Sequence, residues 1–168
     1  GSGSLTGYWG ANLAAAHNAI VVTTNYRLGA LGFMAFEGDT AGSTLANFGL
    51  RDQTSALRWA QAQLPRLGGD RSKVMIYGES AGGISVTNHL VSPPSAGLFS
   101  RVMSESGFPT AWSTPFALQR SAEFASSKLG CTGTGAARMA CLRKVPQSTV
   151  LAAQAAEPPG RQHDARLE

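Results

Sequence analysis

Gly78-Glu79-Ser80-Ala81-Gly82-Gly83 is the stretch whose reading decides the fold. Before it runs Lys73-Val74-Met75-Ile76-Tyr77, a short apolar segment that predicts a buried strand. After it comes Ile84-Ser85-Val86-Thr87-Asn88-His89-Leu90-Val91, which continues as a helix beginning near Ala81. Strand, G-x-S-x-G and helix together make a nucleophile elbow. A serine hydroxyl is a weak nucleophile and must be held where a base can take its proton. The sharp turn lifts Ser80 above the sheet edge and crowds the backbone, so small residues must flank it. Gly78 and Gly82 meet that need, with Gly83 as a further small residue. The helix presents its free N–H groups to the reacting carbonyl, and the N–H of Ala81 is the expected oxyanion donor. The competing reading is a glycine-rich turn in which Ser80 merely caps the helix.

The chain outside the elbow is that of an ordinary globular domain. It has 168 residues, of which 43% are hydrophobic and 14% charged, so it can bury a core. A net charge of +4 with scattered basic residues gives no nucleic-acid footprint. No apolar run approaches the roughly 18 residues of a membrane span. The three separated histidines and one cysteine pair form no metal-ligand constellation, and neither a phosphate loop nor a dinucleotide fingerprint is present, so no metal or cofactor is expected. Cys131 and Cys141 stand ten positions apart and could be bridged or free. A bridge would add about 3 kcal/mol by chain entropy and imply an oxidising compartment.

In chain order, Ala11–His17 predicts a short helix and Ala19–Asn25, a β-branched run, predicts a buried strand. Tyr26-Arg27-Leu28-Gly29 breaks that strand, and Arg27 needs a partner if buried. Residues 37–49 read as a surface loop, Leu50–Leu64 as a helix that Asn47 can cap, and Gly68-Gly69-Asp70 as a turn. Ser92-Pro93-Pro94 ends the elbow helix, and Phe99–Ser104 predicts a third strand. Helices follow over Thr114–Leu129, Gly135–Lys144 and Ser148–Ala156. Three strands separated by helices give an α/β class with two parallel βαβ units.

Several motifs agree in order and spacing: Asn25-Tyr26-Arg27-Leu28-Gly29, Asn47-Phe48-Gly49-Leu50-Arg51-Asp52-Gln53, Leu57-Arg58-Trp59, Gly68-Gly69-Asp70 and the elbow. With Met103-Ser104-Glu105-Ser106-Gly107, Trp112 and the cysteine pair, they resemble the type-B carboxylesterase and cholinesterase family over roughly residues 1–154. The resemblance implies an incomplete α/β-hydrolase fold, with central parallel strands, crossover helices and the nucleophile elbow. It implies carboxylic-ester hydrolysis through a serine acyl-enzyme, with Ser80 as nucleophile and a small-molecule ester as substrate. By the same resemblance, Glu79 is a buried acid beside the nucleophile, Ser106 a hydrogen-bonding residue near the site, and Trp112 part of the acyl pocket. Arg27 and Asp52 become a buried structural ion pair, Cys131 and Cys141 a disulfide, and the protein is expected to be secreted.

The pattern also departs from the family. A triad in this fold runs Ser, then Asp or Glu, then His, and no segment of this chain resembles the family's acid or histidine segments. His17 reads as a surface or packing residue. His89 lies nine residues beyond Ser80, about 13 Å along one helix, too far to reach it. His163, with Glu105, Glu123 or Glu157 as acid, would satisfy only the order. The resemblance further implies a Gly-rich oxyanion segment just upstream of Gly1-Ser2-Gly3-Ser4, and it fails after Gln154, where Pro158-Pro159-Gly160-Arg161-Gln162-His163 replaces the family's continuation. The expectation is therefore a partial esterase domain over residues 1–156, with a divergent polar tail over 157–168, inactive alone. The alternatives are a non-catalytic adhesion or binding relative and a truncated pseudo-enzyme.

Overall fold

Alternation in Met75–Glu79 sets the centre of the structure. Ile76 and Gly78 are buried while Met75, Tyr77 and Glu79 are exposed, so the segment is a strand covered on one face only. The computed structural model describes residues 2–38, 43–108 and 113–157. The chain divides into two compact units, Gly1–Tyr26 with Leu50–Pro109 and Arg27–Gly49 with Thr110–Glu168.

In the first unit, a 3₁₀ turn at Thr6–Tyr8 leads into α1 (Ala11–His17). The second unit begins with α2 (Gly29–Phe33), β1 (Phe36–Glu37) and β2 (Thr44–Leu45). Helix α3 (Phe48–Gln63) then carries the chain back to the first unit, which goes on through β3 (Met75–Glu79), α4 (Ala81–Val91) and β4 (Arg101–Glu105). The second unit resumes with α5 (Thr114–Leu129), α6 (Gly135–Leu142) and α7 (Gln147–Ala155).

Strands β3 and β4 pair in parallel, with Ile76 opposite Val102 and Glu79 opposite Glu105. Helix α4 connects them and packs on both, as a parallel pair requires of its crossover. Asp70 prepares the entry to β3: its Oδ1 accepts from the Ser72 N–H at 2.8 Å and from the Ser72 hydroxyl at 2.7 Å. These bonds to the charged form hold the Asp70 carboxyl below its usual range.

The described residues contain one βαβ unit, not the two expected. The Ala19–Asn25 run has no regular secondary structure, and Ile20, Val21 and Val22 are exposed. A strand exists only as a member of a hydrogen-bonded pair, and no described residue pairs with this run. The expected 37–49 loop instead overlaps a short antiparallel pair, β1–β2, with Phe36 opposite Leu45 and Glu37 opposite Thr44.

The second unit has its own core of Ala30, Met34, Phe36, Phe124, Ala125, Cys131 and Val150. Cys131 and Cys141 are joined, so the bridge is present. Buried polar ties supplement the packing. The Ala35 N–H donates to Ser121 Oγ at 2.8 Å and the Ala30 N–H to Gln154 Oε1 at 2.7 Å. No helix among the described residues is long and apolar enough to cross a membrane.

Candidate active site

The site lies in the first unit, where β3 turns into α4. Ser80 occupies the turn at φ 54 and ψ −116, a region that side chains other than glycine's occupy only under strain. Its carbonyl accepts the first bond of α4, from the Ile84 N–H at 2.9 Å. Its side chain makes no capping hydrogen bond. The simple-cap reading therefore fails, and the hydroxyl is exposed and unspent. Helical geometry leaves the N–H groups of Ala81, Gly82 and Gly83 without an intrahelical acceptor, so Ala81 offers a donor beside the hydroxyl.

Glycine is required here for close approach. A Cβ on Gly78 would collide with the backbone of Gly82, and one on Gly83 would lie 2.7 Å from the Glu105 carbonyl oxygen. Gly82 itself faces open space, with nothing within 4 Å of where a Cβ would stand. The crowding expected at Gly78 and Gly82 therefore falls on Gly78 and Gly83. Gly107, which the motif reading gave no role, is the opposite wall: a Cβ there would strike Gly83. The Ser104 hydroxyl adds a bond to the Gly83 carbonyl at 3.1 Å.

The next strand frames the turn. The Ser80 N–H donates to the Glu105 carbonyl at 2.9 Å, extending the β3–β4 register by one residue. Ser106 then stands beside Ser80 at the end of the sheet, also left-handed at φ 53. Glu79 is exposed, contrary to the expected buried acid, because alternation sends it to the uncovered face of β3. On that face Tyr77 donates its hydroxyl to Glu105 Oε2 at 3.0 Å, and the neighbouring carboxylate raises the phenol's pKa.

The remaining predicted residues fall elsewhere. Arg27 is exposed rather than buried, and no strand among the described residues pairs with the Ala19–Asn25 run that precedes it. Its guanidinium lies 5.4 Å from the centre of the Phe48 ring, and Asp52 is half-buried. Trp112 and His163 lie outside the described residues. His17 ends α1 on the surface. His89 is buried, and its ring nitrogens are engaged by Ser95 and Gln53. Burial lowers its pKa, so it is neutral at pH 7. No described histidine is hydrogen-bonded to Ser80, and no group of three or more potential metal ligands occurs among the described residues.

Residues 1–165 match the model of the carboxylesterase family. The chain belongs to that family. This carboxylesterase-family chain is 43% identical over 157 residues to acetylcholinesterase of Gallus gallus, covering 90% of itself and 20% of that protein. It is 44% identical over 158 residues to cholinesterase 1 of Branchiostoma lanceolatum, covering 90% and 43%. Against human bile salt-activated lipase it is 40% identical over 151 residues, covering 86% and 19%. Among solved structures, a PNB esterase superposes with a TM-score of 0.82 at 36% identity, covering 91% of this chain and 32% of the other. The α/β-hydrolase fold expected from the motifs is thus the fold present, in part. The chain spans between about a fifth and two fifths of the length of these three relatives.

Proposed function

We propose that this chain carries the nucleophile and one oxyanion donor of a carboxylic-ester hydrolase working through a serine acyl-enzyme. The observation that carries this reading is Ser80: a strained serine at a strand-to-helix turn, its hydroxyl spent on no cap. In the reaction, a base takes the Ser80 proton as Oγ attacks the ester carbonyl. The carbonyl oxygen gains charge and accepts from the Ala81 N–H. Collapse expels the alcohol, which receives the proton, and water then releases the acid by the same route.

His89 is committed to its buried partners, so the base and its acid belong to sequence outside the described residues. Ser106 is a hydrogen-bonding neighbour of the reacting centre and Glu79 a carboxylate beside it, with Trp112 assigned to the acyl pocket. Residues 1–156 form part of one esterase domain, followed by the polar tail, and the substrate is a small carboxylic ester. The Cys131–Cys141 bridge supports an oxidising, extracellular setting.

The test is labelling of the native protein with a fluorophosphonate, reading both the mass of the adduct and the modified residue. Label on Ser80 in a protein well above 17.4 kDa supports the esterase, with a base supplied from beyond these residues. Label on Ser80 at 17.4 kDa places the base within these 168 residues and leaves His163, outside the described residues, to supply it. No label, with the protein shown to be present, favours a non-catalytic relative or a pseudo-enzyme.

A further inference from the structure

Behind the elbow lies a buried polar cluster that the proposed chemistry does not use. His89 is 4% exposed, Gln53 8%, Ser85 4% and Ser95 0%. His89 Nδ1 lies 2.8 Å from Ser95 Oγ and Nε2 lies 2.8 Å from Gln53 Oε1. Gln53 Nε2 donates to Ser85 Oγ at 3.1 Å, and Ser85 Oγ donates to the Ala81 carbonyl at 2.9 Å. Elementary donor and acceptor chemistry fixes the direction of every link. Gln53 Oε1 can only accept, so His89 must carry its proton on Nε2. The neutral ring then accepts at Nδ1, from the Ser95 hydroxyl. The result is a one-way chain: Ser95 to His89, His89 to Gln53, Gln53 to Ser85, and Ser85 to Ala81.

We propose that Gln53, His89 and Ser85 are positioning residues that hold Ala81, the oxyanion donor, in register with Ser80. The inference rests on the esterase reading above. The chain ends on the carbonyl of Ala81, the residue whose N–H donates to the developing oxyanion. It runs from α3 through α4 to the 3₁₀ turn at Pro93–Ser95, so it fixes the first turn of α4 to a second helix. A serine bonding to the carbonyl four residues back also bends a helix locally, which here means the turn carrying Ala81. Apolar side chains could have filled this space at lower desolvation cost. A polar chain instead sets orientation, because each bond has one geometry.

The test uses the native protein with Ser85→Ala, Ser85→Thr and Gln53→Leu. Fluorophosphonate labelling is split into the apparent binding constant and the maximal labelling rate constant, and the Ala81 amide is followed by ¹⁵N NMR. S85A and Q53L should lower the maximal rate about tenfold while the binding constant changes by less than about twofold. S85T, which keeps the hydroxyl, should restore the rate and the Ala81 amide position. A His89 ring protonated on Nε2 is expected in the unsubstituted protein, and a ring protonated on Nδ1 overturns the proposal without any variant. Wild-type labelling rates in S85A and Q53L, with only the melting temperature lowered, overturn it as well. If the unsubstituted protein takes no label, the esterase reading falls, and the Ala81 amide decides the cluster alone. An amide shifted in S85A and returned in S85T supports the link, and an unmoved amide overturns it.

Discussion

Ser80 shows what a nucleophile costs the fold. At φ 54 and ψ −116 it holds a conformation that disfavours any residue with a Cβ, by about 1–3 kcal/mol. Glycine would remove that strain while adding back some unfolded-chain entropy. Ser80→Gly should therefore raise stability by about 1 kcal/mol in urea unfolding and abolish fluorophosphonate labelling. A loss of stability would show that the turn is not strained in solution. The elbow glycines separate just as sharply. Gly78→Ala drives a methyl into the Gly82 backbone and should cost about 1–3 kcal/mol, the range of overpacked cores. Gly82→Ala meets nothing within 4 Å and lies in a helix, so it should be neutral or stabilising by under about 1 kcal/mol. Equal effects of the two would refute the assignment of the crowding to Gly78.

Helices α3 and α4 are tied through a titratable residue, and that tie gives the first unit a pH dependence. Burial depresses the pKa of folded His89 below the ordinary 6.5. Between its folded value and 6.5 the unfolded chain binds the proton that the folded chain refuses. Stability then rises with pH across that window and no longer depends on this group above it. Unfolding in urea should show a lower midpoint at pH 5.5 than at pH 7.5, and His89→Gln should flatten this difference. A slope unchanged in the variant would assign it to other groups. The same helices show how far sequence reading reaches. The spans of α1 and α5 agree with expectation residue for residue, and α4 starts at Ala81 as predicted. The Ser92-Pro93-Pro94 stop after α4 and the Thr114-Pro115 start of α5 are local signals. The Ala19–Asn25 run failed because a strand depends on a neighbour that no periodicity reveals. The site divides the same way. Ser80, Ala81 and the elbow glycines are contiguous and legible, whereas Gln53, His89, Ser95 and Gly107 gain meaning only when separate elements meet. Glu79 and Arg27 are exposed although the resemblance implies burial for both, and among the described residues no further strand covers either.

For the whole molecule, the decisive quantity is apolar surface without a cover. Parallel strands are ordinarily buried on both faces, yet only one face of the β3–β4 pair lies against α4. On the other, Met75, Tyr77 and Met103 are 53%, 52% and 45% exposed. Ile20, Val21 and Val22 in the first unit are also exposed, at 41%, 37% and 46%. Each buried side chain of this kind contributes about 1.5–3 kcal/mol, so leaving six of them wet is a standing drive toward association. Unpaired strand edges add hydrogen-bonding groups that another chain can satisfy. Tyr77 and Val21 therefore mark the surfaces along which the isolated 168-residue polypeptide should associate. Its average mass in sedimentation velocity should rise above 17.4 kDa as concentration increases through the micromolar range. Tyr77→Lys combined with Val21→Lys should return it toward 17.4 kDa, since a charge on each surface opposes both burial and edge pairing. The Cys131–Cys141 bridge should be irrelevant to this behaviour, because it staples the other unit and leaves no free thiol. A mass fixed at 17.4 kDa throughout would mean that these surfaces are covered in solution, and the account of the uncovered sheet face would fall with it.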